Sequence, residues 1–310
     1  MSASRGVTGR FAPSPTGPLH SGSLVAALGS WLFARAAGGR WLVRLEDLDT
    51  PRVVPGAADE ILRALERYGL TWDGEIVFQS ARLTHYDAAL EILRKKEMVY
   101  ACACSRADLA GAASAPDRGD PLPAGVYPGT CRAGLPPGKE ARGVRFHVPA
   151  GAFTFEDLVF GSFSEDVTAS VGDFVVKRVD GPFAYQLAVV ADDAAQGVTQ
   201  VVRGADLLDP TARQIALQRA LGLPTPAYAH LPLVHGPDGR KLGKRDGVLP
   251  LETLDEARLR ATLAFALRAL GQEPREGTPP EMLREARAHF SPVCIPREPR
   301  RAPAEGRRPG

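Results

Sequence analysis

Apolar residues run almost unbroken from residue 24 to 37, interrupted by Gly29, Ser30 and Arg35. Leu24, Ala27, Leu28, Trp31 and Leu32 fall on one helical face, while Val25, Ala26 and Phe33 occupy the others. That spacing predicts a helix buried nearly all round. Residues 7–11 read as a short strand ahead of it, and Pro13, Pro15, Gly17 and Pro18 exclude regular structure between the two. Strand, tight loop and buried helix make the crossing that opens a nucleotide-binding α/β unit. The free N–H groups of the helix's first turn, helped by His20 and Ser23, would face an anion. An ordinary strand-to-helix connection carries the same pattern.

The next segment, from Arg40, alternates apolar and charged residues and reads as a strand ending in Glu46, Asp47 and Asp49. Acids at the carboxyl end of a parallel strand line the ligand crevice. Glu46 is read as facing the ligand and the two aspartates as structural, with Asp49-Thr50-Pro51 leading into a helix. An amphipathic helix is expected over residues 57–68, a short strand over 76–78 and a second helix over 83–96. Residues 144–148, 153–163 and 174–179 read as strands, with Asp180-Gly181 as a hairpin turn. A helix over 183–193, a strand over 199–206 ending beside Arg203, and a helix over 211–221 repeat the crevice geometry of the first unit. Residues 255–270 and 280–289 form two last helices. From Pro296 the chain offers almost nothing to bury and is expected to be disordered.

Two clusters carry candidate chemistry. Lys241-Leu242-Gly243-Lys244-Arg245 follows a Pro237-Asp238-Gly239 turn signal. Three cations in five residues suit a triphosphate, and a solvated basic turn has the same composition. Cys102 and Cys104, with Cys131 beyond an Ala/Gly/Pro-rich stretch, could share one tetrahedral zinc, or the first two could simply be near neighbours on a strand. Asp108, Asp117, Asp120 and His147 are open as the fourth ligand.

Composition narrows the setting. The 310 residues are 44% hydrophobic and 24% charged, with no run long enough to span a membrane. Net charge is +2, and residues 297–310, with five Arg and two Glu, supply +3 of it, leaving the rest near −1. A whole-chain basic footprint for nucleic acid is therefore excluded, and any such surface is local. Four cysteines do not make a disulfide framework, and the first residues have no apolar signal core, so reduced thiols in a cytoplasmic protein are expected.

Taken together, Arg10-Phe11-Ala12-Pro13-Ser14-Pro15-Thr16-Gly17 ahead of His20 and the distant lysine cluster resemble the paired HIGH and KMSKS sequences of class I aminoacyl-tRNA synthetases, in the form of the glutamyl branch. The C-x-C…Y-x-x-x-C pattern resembles the zinc site of the glutamyl-queuosine tRNA(Asp) synthetases, as does the lack of room for a large anticodon-binding domain. The resemblance covers roughly residues 7–250. It implies an α/β, Rossmann-type parallel-sheet catalytic domain (residues 1–97 and 181–250). An inserted zinc-containing, acceptor-binding-like subdomain (98–180), a short helical C-terminal remnant (251–295) and a disordered tail (296–310) complete it. It implies tRNA-independent activation of L-glutamate by ATP with Mg²⁺, and transfer to the queuosine at position 34 of tRNA(Asp). His20 and Lys244 are then catalytic. Gly22, Ser23 and Lys241 join them in holding ATP; Arg10, Phe11, Ala12, Pro13, Ser14, Glu46, Tyr185 and Arg203 hold glutamate; and Cys102, Cys104, Tyr127 and Cys131 hold one structural Zn²⁺. Tyr127 as a ligand rests on the resemblance alone. Arg10 and Arg203 suit carboxylates and Glu46 suits an ammonium group. Neither DNA nor a membrane is expected as a partner, and the protein is expected to be a monomer. The chain departs from the family at Gly243, where Ser is usual, and at Arg245, where Gln is more common; Lys244 is retained, so activity is expected. The alternatives are a shortened glutamyl-tRNA synthetase charging the 3′ end of tRNA(Glu), and a non-catalytic zinc-dependent tRNA-binding module.

Overall fold

The computed structural model describes residues 6–105, 108, 125–178, 181, 183–236, 239 and 254–301. Lys241, Gly243, Lys244 and Arg245 lie outside the described residues, as do Asp117, Asp120 and Asp180.

Strand β1 (Thr8–Phe11) pairs in parallel with β2 (Arg40–Leu45), and β2 with β3 (Val77–Phe78). Between β1 and β2 lies α1 (Ser21–Ala36), buried on most sides as its spacing predicts. The chain leaves α1 through Gly39, where a Cβ would overlap the Val7 carbonyl; only glycine lets the turn close onto β1. Helices α2 (Ala57–Tyr68) and α3 (Leu83–Lys95) follow, and α2 buries Ile61, Ala64, Leu65 and Tyr68.

Next in the chain come β4 (Val99–Cys102), β5 (Gly143–Phe146), β6 (Ala152–Asp157), β7 (Gly161–Asp166), the single turn α4 (Val167–Ser170) and β8 (Phe174–Arg178). Strands β4, β5 and β8 form an antiparallel sheet of their own. The stretch read as one strand over residues 153–163 is a hairpin, β6 running antiparallel to β7 from Ala152 opposite Asp166 to Asp157 opposite Gly161. Apolar Leu158, Val159 and Phe160 hid the turn, but Leu158 is exposed and Gly161 has φ +83. Asp180 of the expected hairpin turn lies outside the described residues; on either side of it Lys177 and Phe183 form an isolated antiparallel bridge.

Helix α5 (Tyr185–Ala195), β9 (Gln200–Gly204), α6 (Pro210–Leu221) and β10 (Ala227–Leu231) complete the second parallel unit, with β10 between β9 and β6. Strand β9 lies beside β1, where the Thr199 N–H donates to the Thr8 carbonyl at 2.9 Å. The chain ends with β11 (Val234–His235), α7 (Glu256–Ala269), α8 (Pro279–Ala288) and β12 (Arg300–Arg301). Contrary to the disorder expected from Pro296, β12 pairs with β11, Val234 opposite Arg300 and His235 opposite Arg301. Arg297 Nε also donates to the Val159 carbonyl at 2.8 Å. Main-chain pairing needs no apolar side chain, so composition did not reveal it. No helix of the described residues is long and apolar enough to cross a membrane.

One apolar core surrounds α1, with Leu24, Leu28, Leu32, Trp41, Ile61, Leu263 and Leu267 at its centre. A second joins α3, α5, α6, β5 and β8 through Tyr86, Leu90, Phe146, Phe174, Leu187, Ile215 and Tyr228. Where β1 and β2 face the start of the second unit at α5, buried charges pack together. Arg44, wholly buried in β2, donates through Nη1 to Asp193 at 2.8 Å and to Gln196 at 2.7 Å, and through Nη2 to Glu46 at 3.3 Å. Arg10 Nε donates to the same Asp193 oxygen at 3.1 Å. Its neighbour Asp192, also wholly buried, accepts from Gln79, Arg82 and Tyr86.

Burial pushes the Asp193 carboxyl up, but Arg10 and Arg44 overcome that and hold it below its ordinary 3.8. Its contribution to stability is therefore complete above that value and is lost as pH falls through the folded pKa. Arg44→Met leaves three acids with buried side chains, Glu46, Asp192 and Asp193, short of a partner. It is expected to cost about 3–5 kcal/mol in urea unfolding and to move acid unfolding to higher pH.

Candidate active site

Helix α1 begins at His20, whose backbone is extended and whose Nδ1 accepts the Ser23 N–H at 3.3 Å. No acid lies in the first turn, so the positive end of the helix dipole is left for an anion. His20, Gly22 and Ser23 line one cavity of about 210 Å³ together with Gly204 at the end of β9, Asp206 beyond it and Leu233 after β10. The wall of this cavity continues into Val234 of β11, two residues short of the turn that precedes the lysine cluster. Three of the residues read as ATP-holding thus share a cavity, while Lys241 and Lys244 lie outside the described residues. Larger surface grooves, about 420 and 630 Å³, lie beside Lys96 and Arg219 and between α7 and α8, and contain none of the sequence-predicted residues.

The residues read as glutamate-holding gather at the carboxyl ends of β1, β2 and β9 and the start of α5. The loop after β1 is pinned there: the Glu46 N–H donates to the Pro13 carbonyl and the Val54 N–H to the Pro15 carbonyl, both at 2.9 Å. Ala12 and Pro13 are half-buried and Ser14 is exposed, whereas the Phe11 ring stacks on Trp41 in the core. Tyr185 feels Glu46, Arg203, Arg10 and Asp193: burial raises its phenol pKa first and Glu46 adds to that, against the two arginines. Burial likewise lifts the Glu46 carboxyl above its ordinary value despite Arg44 and Arg10. Glu46 is thus already paired, and so is Arg10, whose Nη1 also donates to the Val202 carbonyl at 3.4 Å. Asp47 and Asp49 are structural as read: Asp47 accepts from Ser80 N and Oγ, and Asp49 pairs with Arg52.

Arg203 is the most exactingly held of the set. Its Nε faces His230 Nε2 at 3.1 Å, and its Nη2 donates to Thr211 Oγ1 at 2.8 Å and the Leu207 carbonyl at 3.1 Å. Its Nη1 is buried with no hydrogen-bond partner. An orphaned guanidinium nitrogen is costly unless an acceptor meets it. Burial and Arg203 hold His230 below its ordinary pKa, against the pull of Asp157. Sequence reasoning missed Arg44, Asp193, Asp157, Thr211 and His230. A signal existed for two of them: Arg44 sits between Val43 and Leu45, and Asp193 follows the apolar run Leu187 to Ala191.

The thiols form a separate cluster. Cys102, Cys104 and Cys131 hold their sulfurs within 4.8 Å of one another, and Cys104 and Cys131 are 3.7 Å apart. Tetrahedral sites with Zn–S bonds of ~2.3 Å separate sulfurs by about 3.8 Å, so the spacing suits a metal. The Tyr127 hydroxyl lies 3.5 Å from Cys102 Sγ. Of the other candidates, Asp108 accepts from Ser105 and His147 is exposed. Arg145 stacks 3.8 Å from the centre of the Tyr127 ring and donates to Cys102 Sγ at 3.2 Å. Burial pushes the Cys102 thiol up, but Tyr127 and Arg145 bring it below its ordinary value; burial and Cys131 push Cys104 up to about 11.

Residues 6–279 match the family described as tRNA synthetases class I (E and Q), catalytic domain. The glutamyl-Q tRNA(Asp) synthetase of Geobacter sulfurreducens is 58% identical over 297 residues, 94% of each chain. That of Aromatoleum aromaticum is 54% identical over 296 residues, 94% of this chain and 90% of the relative. Among solved structures, a glutamate tRNA ligase from Elizabethkingia meningosepticum, in complex with its amino acid, superposes with a TM-score of 0.79 at 31% identity. The match covers 95% of this chain and 66% of that longer one. Sharing more than half its residues with these relatives along nearly its whole length, the chain belongs to the glutamyl-Q tRNA(Asp) synthetases, a family of class I synthetases.

Proposed function

We propose that the protein activates L-glutamate with ATP, without tRNA, and transfers the glutamyl group to the queuosine at position 34 of tRNA(Asp). One glutamate carboxylate oxygen attacks the α-phosphorus of ATP, and pyrophosphate leaves. A hydroxyl of the queuosine cyclopentenediol then attacks the acyl carbon, losing its proton as AMP leaves. Both steps depend on positioning and on charge neutralisation. The observation that carries this reading is the buried, unpartnered Nη1 of Arg203, set among Arg10, Glu46 and Tyr185 close to the cavity at the start of α1. A substrate carboxylate supplies the missing acceptor. Glu46, although paired with Arg44, retains acceptor capacity for the ammonium group.

ATP fits the cavity beside His20, Gly22 and Ser23, where the helix dipole favours phosphate. Lys241 and Lys244 complete the charge around the phosphates, and Mg²⁺ bridges phosphate oxygens with few ligands from the protein. The names of the relatives favour queuosine-bearing tRNA(Asp) over tRNA(Glu) as acceptor. A cytoplasmic setting follows from that partner, and the four free thiols agree with it.

Residues 98–180 we assign as the zinc-binding insertion, with Cys102, Cys104, Cys131 and Tyr127 as ligands. A bound zinc ion would staple the small buried cluster of Cys102, Ala103, Tyr127 and Cys131, with Cys104 packed against it, which is separate from the second apolar core that Phe146, Phe153 and Phe174 join.

Glutamate-dependent ATP–pyrophosphate exchange in the absence of tRNA is expected for the purified protein, and none would be seen from a pure tRNA-binding module. Lys244→Ala should lower the exchange rate by roughly 10²–10³. Labelled glutamate should join tRNA(Asp) that carries queuosine and not its unmodified transcript; charging of tRNA(Glu) instead would identify a shortened glutamyl-tRNA synthetase. Metal analysis should find one zinc per chain, and Cys104→Ser should lose it along with several degrees of melting temperature. Equal zinc in both proteins would remove the metal assignment.

A further inference from the structure

Behind Arg203 lies a buried chain of polar contacts. Asp157, at the end of β6, accepts the N–H groups of Val159 at 3.0 Å and Phe160 at 2.8 Å through Oδ1. Both its oxygens also lie within 3.2 Å of the His230 backbone N–H. A carboxylate fixed by so many donors stays ionised and cannot rotate. Its Oδ2 lies 2.6 Å from His230 Nδ1, so that nitrogen carries the proton. The His230 ring is wholly buried and lies nearly parallel to the Tyr228 ring, at 11° and 6.3 Å.

The second ring nitrogen decides the role. Arg203 Nε can only donate, and it lies 3.1 Å from His230 Nε2. With Nδ1 protonated for Asp157, a proton on Nε2 as well would set an imidazolium against a guanidinium. The Leu207 carbonyl at 3.1 Å and Thr211 Oγ1 at 3.3 Å also neighbour Nε2, but with Nδ1 already protonated a proton for the carbonyl would require that buried imidazolium, so Nε2 keeps its lone pair. His230, Thr211 and the Leu207 carbonyl together take up the Nε and Nη2 sides of the guanidinium. Nη1 alone remains for a ligand.

We infer that His230, locked in one tautomer by Asp157, is a positioning residue that acts through Arg203 and sets the affinity for glutamate. This rests on the reading of Arg203 as the ligand of the substrate carboxylate. His230 touches no substrate; it prevents the guanidinium from turning about its long axis, so that a single nitrogen is presented.

The test uses the full-length protein and ATP–pyrophosphate exchange, with glutamate and ATP varied separately. His230→Asn keeps a donor for Asp157 and leaves no acceptor for Arg203 Nε. It should raise KM for glutamate roughly tenfold or more while KM for ATP and kcat stay near wild type. His230→Gln, whose amide oxygen reaches the place of Nε2, should recover most of the loss. In an Arg203→Lys background, His230→Asn should add nothing further. The inference is overturned if His230→Asn leaves KM for glutamate unchanged, raises both KM values alike, or adds its full factor on top of Arg203→Lys. Melting curves accompany each variant; if His230→Asn is unfolded, His230→Phe, which fills the volume without an acceptor, takes its place with the same outcomes. Arg203→Lys alone examines the underlying reading: an unchanged KM for glutamate there removes both, whereas a raised one with a silent His230→Asn removes only this inference.

Discussion

A single carboxylate, Asp193, accepts hydrogen bonds from two guanidinium groups, and the placement of Arg10, Arg44 and Glu46 follows from that sharing. Arg10 comes from β1, Arg44 from β2 and Asp193 from α5, so the contact joins parts of the chain that are far apart in sequence. Such a buried group of charges gains little net stability over an apolar equivalent, because each ion must first be desolvated. What it contributes is geometry. An apolar joint tolerates sliding, whereas these partners satisfy one another in one arrangement only. Glu46 is fixed from the same source, since Arg44 reaches it with its other terminal nitrogen.

The Asp193 cluster and the cavity at the start of α1 are polar in opposite ways around the same sheet ends. In the first, charged side chains are buried and braced by other charged side chains. At the start of α1 the polarity comes from the main chain: a helix terminus with no acid in its first turn and a histidine cap beside two small residues. Strand β11, whose Val234 lines the cavity, is held by β12 on one side through main-chain pairing.

Most helices were legible because burial imposes a period. The residue spacing in α1 and α2 allowed both to be read nearly to their ends, and the crossing from β1 to α1 pointed to an anion site. Three kinds of feature were not legible. Arg44 and Asp193 lie 149 positions apart, and no local pattern announces a partner that far away. The β6–β7 hairpin was read as one strand because its turn is apolar. The pairing of β12 with β11 left no trace in composition, since it uses the backbone. His230 belongs to the first kind: within its strand it looks like any core histidine, and only the neighbouring units give its two nitrogens different tasks.

The burial of α1 has a consequence for how the protein is made. Its apolar faces are covered by β1, β2 and β9 and finally by α7, whose Leu263 and Leu267 share its core. Helix α7 begins roughly 200 residues after α1 ends. At about 5–20 residues per second of synthesis, the nascent chain carries an uncovered helix bearing Leu24, Leu28, Trp31 and Leu32 for on the order of 10–40 s. During that interval the face that α7 later covers is exposed apolar surface, open to non-specific association.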